Sequence, residues 1–182
     1  MGAAAAVLGA GQALALEPEV PIRMQISLLD RVIPFDRNFA VRVHDKLVVA
    51  VVIDDKNVDS VRVGAQLLAE LSARELLGNY KLHATRLAFG GLPALTDECK
   101  RLRAGVVYVA PGVREGAGKL ATALQGLKVL SVASLPEHVG EGLVLGSAVR
   151  SGKPRVLVNL KQARQQDIDF RADFLRMVEV VG

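Results

Sequence analysis

Tryptophan is absent from this chain, and aromatic residues make up only 4% of its 182 positions. So few rings argue against the stacking platforms that carry single-stranded nucleic acid, and against an aromatic shelf for sugars. The one cysteine, Cys99, permits no internal disulfide. The histidines His44, His83 and His138 form no i, i+4 pair and join no carboxylate in a ligand-like spacing, so the sequence offers no metal site. Nor is there a G-x-S-x-G elbow or a paired acid and base, and no catalytic residue or cofactor is implied. The protein reads as a non-enzyme. After the N-terminal stretch, no segment is long and apolar enough to read as a membrane span.

What is present is a large aliphatic fraction. Hydrophobic residues make up 51% and charged residues 23%, enough to bury one core in a chain of single-domain length. The net charge of +4 is spread along the chain, apart from the cluster Lys100-Arg101-Leu102-Arg103. Spread charge of this kind describes a solvated surface. Residues 1–15, MGAAAAVLGAGQALA, are uncharged and end in Ala13-Leu14-Ala15, the small-x-small form of a signal-peptidase site. The expectation is a leader, cleaved before Leu16 and short of a positive n-region, followed by one domain over residues 16–182.

Pro21 suits the first turn of a helix, and Ile22, Ile26, Leu29 and Ile33 recur at helical spacing up to Pro34. Phe35 to His44 has no clear period and reads as a loop. Leu47 to Ile53, LVVAVVI, is the unbroken β-branched run of a strand covered on both faces. Asp54 to Asn57 makes a turn, and a helix follows with the stripe Val58, Val61, Ala65, Leu68 and Leu71. Tyr80 to Phe89 is a second strand, closed by Gly90-Gly91. Its helix carries Leu92, Leu95, Cys99 and Leu102. Val106 to Ala110, the turn Pro111-Gly112 and a helix over 115–124 capped by Gly126 form a third unit. Val129 to Ala133 is a fourth strand. Leu143 to Val149 and Pro154 to Asn159 flank the turn Ser151-Gly152-Lys153, and two brief helices follow. The alternation predicts an α/β single domain, a mostly parallel open sheet with helices on both faces and a C-terminal β-hairpin at one edge.

Ligands of open α/β sheets sit outside the carboxyl ends of the strands. That topology nominates Asp54, Asp55, Gly90, Gly91, Gly112 and Ser131 as ligand-binding candidates for a small molecule. The loop PGVREGAGKL fails as a phosphate loop, because Val113 stands where the first glycine is needed and Leu120 where a hydroxyl is needed. Cys99, on the apolar stripe of its helix, reads as an inert core thiol.

The last third carries a resemblance. VLSVASLPEHVGEG and VLVNLKQARQQDIDFRADFLRMVEVV resemble the C-terminal half of the YfiR-like family, with Asn159, Leu160, Ala163, Ile168 and Leu175 on the family's positions. The resemblance implies an α/β fold, export to the periplasm and a regulator of a membrane-bound signalling protein, a diguanylate cyclase or a sensor kinase. A solute-binding or transport accessory protein of the envelope is the alternative. The cysteines that pair in some members are absent, so redox control does not carry over. Gly140 and Gly142 read as turn glycines, and Asn159 as the cap of the helix that opens at Leu160. Edge strands and apolar helix faces leave room for a homodimer.

Overall fold

A computed structural model describes residues 15–182. Of the expected leader, residues 1–15, all but Ala15 lie outside the described residues. Leu16 and Glu17 lie against the start of α2 (Val58–Ser72). Leu16 N–H donates to Asp59 at 2.9 Å, and Arg62 reaches Glu17 at 2.8 Å.

Strand β1 (Leu47–Ile53) is buried at all seven positions, as its unbroken apolar run demands. Its side chains divide by the period of two. Leu47, Val49, Val51 and Ile53 enter one core, while Ala50 and Val52 enter the other. On the first face lie α1 (Ile22–Val32), α2, and the C-terminal helices α6 (Leu160–Gln165) and α7 (Ala172–Leu175). The second face is covered by α3 (Leu92–Leu102), α4 (Ala117–Ala123) and α5 (Glu137–Gly140).

The sheet has the order β2-β3-β1-β4-β5-β6-β7-β8. Here β2 is Leu76–Leu77, β3 Tyr80–Ala88, β4 Val106–Val109, β5 Leu130–Ala133, β6 Leu145–Arg150, β7 Lys153–Asn159 and β8 Glu179–Val181. Strands β3, β1, β4, β5 and β6 run parallel, while β6 and β7 form the expected antiparallel hairpin. Ser151 and Gly152 both take positive φ, 51° and 72°, as a tight two-residue hairpin turn requires.

Two short strands escape the sequence reading. Leu76–Leu77 folds back on β3 through Gly78 and Asn79, and Glu179–Val181 pairs parallel with β7 where helix was expected. The segment that reads as a loop, residues 35–44, takes in the end of one 3-10 turn (Ile33–Phe35) and the whole of a second (Phe39–Arg42), and a buried ion pair fastens it. Arg42 Nη1 lies 2.5 Å from Asp36 Oδ2, and both side chains are fully buried.

The stripe expected on α2 is corrected. Val58 is 82% exposed, and Val61 and Ala65 face solvent, while Ser60, Val63, Gly64, Leu67 and Leu71 are buried. Small residues decide the rotation. A Cβ at Gly64 would lie 2.4 Å from Ile53 Cγ1, so the helix backbone sits directly on β1. Ser60 Oγ accepts the Asp54 N–H at 2.9 Å.

Candidate functional site

The carboxyl ends of β1, β3 and β4 meet at Asp54. This carboxylate is buried, and its Oδ1 accepts the Lys56 N–H at 3.0 Å. Oδ2 accepts the Arg114 backbone N–H at 3.1 Å and faces Arg114 Nε at 3.0 Å. The same guanidinium donates to the Phe89 carbonyl at 2.7 Å and lies 5.4 Å from the centre of the Phe89 ring. One charged pair therefore ties together the loops that follow three strands.

Gly112 belongs to this junction. Its φ is +69°, and a Cβ there would fall 2.5 Å from the Asn57 side chain, which caps α2 by accepting the Ser60 N–H at 2.9 Å. Gly90 and Gly91 follow Phe89, with Gly91 at φ +112° as the N-cap of α3. Asp54, Gly112, Gly90 and Gly91 thus come together at one rim. Asp55 points outward from it, paired with Arg86.

Ser131 lies apart. It is fully buried in β5, its hydroxyl donating to Gln166 Oε1 at 2.8 Å and accepting the Val144 N–H at 3.0 Å. The network continues to the Val129 carbonyl through Gln166 Nε2. Polar groups satisfied inside the protein hold structure in place. At the rim, the Asp54–Arg114 pair occupies the position where a ligand of an open sheet would be sought.

The motif residues of the C-terminal third converge elsewhere, because β7 runs antiparallel to β6 and ends at the amino side of the parallel strands. Asn159 Oδ1 accepts the Gln162 N–H at 3.0 Å and caps α6, and its Nδ2 donates to the Val139 carbonyl at 3.0 Å. Leu160 opens that helix, half-buried against the core. Gly142 takes φ +130°, with Ala121 Cβ 2.9 Å from where its own Cβ would lie. Gly140 is different: it ends α5 without a positive φ. Gly140, Gly142 and Asn159 line a polar cavity of about 320 Å³.

A larger groove, about 580 Å³, runs along the outer side of α1 beside the start of β7. Pro21, Met24, Leu28 and Pro154 give it an apolar lining, with Arg23 and Arg31 along it. Neither arginine makes an ion pair among the described residues, and Met24 is 44% exposed. The helix is anchored from its other side, where Gln25 Nε2 donates to the Ser134 carbonyl at 3.1 Å and Gln25 Oε1 accepts the Tyr108 hydroxyl at 2.7 Å. The helical periodicity of α1 marks its buried stripe and leaves this outer face unmarked. Its visible signal is Met24 and Leu28 among arginines, on the side away from Ile22, Ile26 and Leu29.

Cys99 is buried, and loss of solvent pushes its thiol up to about 12, with Glu98 adding to the effect. That is the setting of an inert thiol. Among the described residues, no cluster of three or more His, Cys, Asp or Glu is placed to hold a metal ion, and no helix is long and apolar enough to cross a membrane.

Among solved structures, the fold is similar to an ABC domain in complex with L-Trp from Streptococcus pneumonia, with a TM-score of 0.62 and 11% identity over 89% of this chain. A conserved domain protein from Vibrio cholerae gives 0.62 and 12%, also over 89% of this chain. The ligand-free, open structure of CD0873, a substrate binding protein with adhesive properties from Clostridium difficile, gives 0.60 and 13% over 89%. The chain spans 60% of the length of each of these neighbours, so the likeness is one of fold. No curated protein sequence matches the chain. The model of the family described as YfiR/HmsC-like (DUF4154) matches residues 43–179, most of the chain, and the protein therefore belongs to the YfiR/HmsC-like family.

Proposed function

We propose that the protein is a non-catalytic regulator or sensor of the periplasm that binds and modulates a membrane-bound signalling protein, a diguanylate cyclase in the first place and a sensor kinase in the second. The observation that carries this reading is the family match over residues 43–179. The groove beside α1 supports it further, as a surface suited to a protein segment. An apolar lining bordered by two arginines that make no ion pair among the described residues complements an amphipathic segment with acidic residues on its flank. Binding there shifts the partner between states only to the extent that the two states bind differently.

The test is affinity capture of tagged protein from an envelope fraction, followed by direct binding to the purified extracytoplasmic domain of the signalling protein recovered. Failure to recover any membrane signalling protein counts against the reading.

A second reading, a solute-binding or transport accessory protein of the envelope, is favoured by the fold likeness to a substrate binding protein and to an L-Trp complex. The closed Asp54–Arg114 rim weighs against it. Saturable binding of a small solute without a membrane partner would favour it over the first.

A further inference from the structure

At the amino end of the sheet, a cavity of about 230 Å³ opens between the segment leading to β1, the end of α3 and the approach to β5. Arg42, His44, Lys100, Arg103 and Lys128 all line it, and no carboxylate does. Among the described residues, Lys128 reaches only Asp167, at 3.8 Å, while His44, Lys100 and Arg103 have no ionic partner. Arg42 is fully buried. Its Nη1 is held by Asp36 and its Nη2 by the Asp167 carbonyl, but its Nε has no acceptor. A buried guanidinium N–H without an acceptor is costly, and like charges gathered around one cavity repel.

One effect opposes an anion here, because α3 turns its carboxyl end towards the cavity. The Cys99 and Lys100 carbonyls are, however, already taken by the N–H groups of Arg103 and Ala104. Positive charge therefore dominates. Arg103 itself stands at φ +50°, ψ +48°, the helix-ending position that glycine usually fills.

We propose that this cavity binds a small phosphate-bearing anion through Lys100, Arg103 and Lys128 at its exposed mouth, with the buried charge of Arg42 behind them. Guanidinium forks and ammonium groups match the several acceptor oxygens of a phosphate dianion. Val41, Leu127 and Val129 flank them and would meet a small apolar group esterified to it.

The test is a thermal-shift titration with inorganic phosphate and with glycerol 3-phosphate at constant ionic strength. It uses wild type, Arg103→Gly and the distant control Lys81→Ala. Glycine at 103 removes the cation while relaxing the backbone, so Arg103→Gly melts at or above the wild-type temperature without ligand. Expected is saturable stabilisation of wild type and Lys81→Ala, with half-saturation at least tenfold weaker for Arg103→Gly. If the soluble anions do not saturate, co-flotation with phosphatidic acid vesicles that retains wild type and loses Arg103→Gly assigns the phosphate to a lipid headgroup. Equal behaviour of wild type and Arg103→Gly towards all three probes overturns the proposal.

Discussion

Asp54 is the residue on which three loops depend, and its chemistry sets a clear expectation. In Asp54→Asn an amide N–H faces the Arg114 donors where a carboxylate oxygen accepted them, leaving buried polar groups mismatched. The expected cost is about 1–3 kcal/mol of unfolding free energy, measured by urea denaturation. Partner binding by the folded variant should be unchanged, because the groove beside α1 is lined by none of the residues of this rim. His138 makes a second, pH-dependent contribution. Burial holds its pKa below the usual histidine value despite the opposing pull of Glu141 and Glu137. A group depressed in this way is neutral when folded and takes up its proton more readily when unfolded. Its stabilising effect is present above the unfolded value of about 6.5 and is lost as pH falls below it. Melting temperatures of wild type and His138→Gln between pH 8 and pH 5 check this, with the wild type falling more steeply.

At the scale of elements, small residues set the geometry. Gly64→Ala would push a methyl into Ile53 and lift α2 from β1, an overpacking cost of about 1–3 kcal/mol. Ile53→Val in the same chain should recover part of it, and chemical denaturation of the single and double variants measures both. The same helix marks where sequence reading fails. Counting apolar residues put Val58, Val61 and Ala65 inside, whereas Gly64 and Ser60 carry no apolar signal and yet define the contact face. The central strand was legible because seven consecutive apolar residues have no other economical placement than between two layers. The short strands β2 and β8 were not, since two or three residues hold their place by pairing with distant backbone. The rim was half legible. Strand topology indicated Asp54 and Gly112, but Arg114, 60 positions from Asp54, is paired with it only by the way the loops close.

The whole molecule separates its features by location. The carboxyl ends of the strands are closed by an ion pair, a basic cavity lies at the opposite end, and an open groove runs beside α1. Belonging to the YfiR/HmsC-like family, the chain has the single α/β domain expected from its alternating strands and helices. Met24 and Arg31 lie on the open face of α1, away from the Ile26 and Leu29 side, so changing them tests the groove with the fold intact. Replacing Met24 by Asp should weaken binding to the partner's extracytoplasmic domain at least tenfold, about 1.4 kcal/mol, with little change in melting temperature. The most direct measurement is therefore capture from an envelope fraction by wild type and by Met24→Asp/Arg31→Glu, side by side. The account predicts that a membrane cyclase or sensor kinase is recovered by the wild type and lost by the variant. Recovery of no signalling protein, or equal recovery by both, would contradict it.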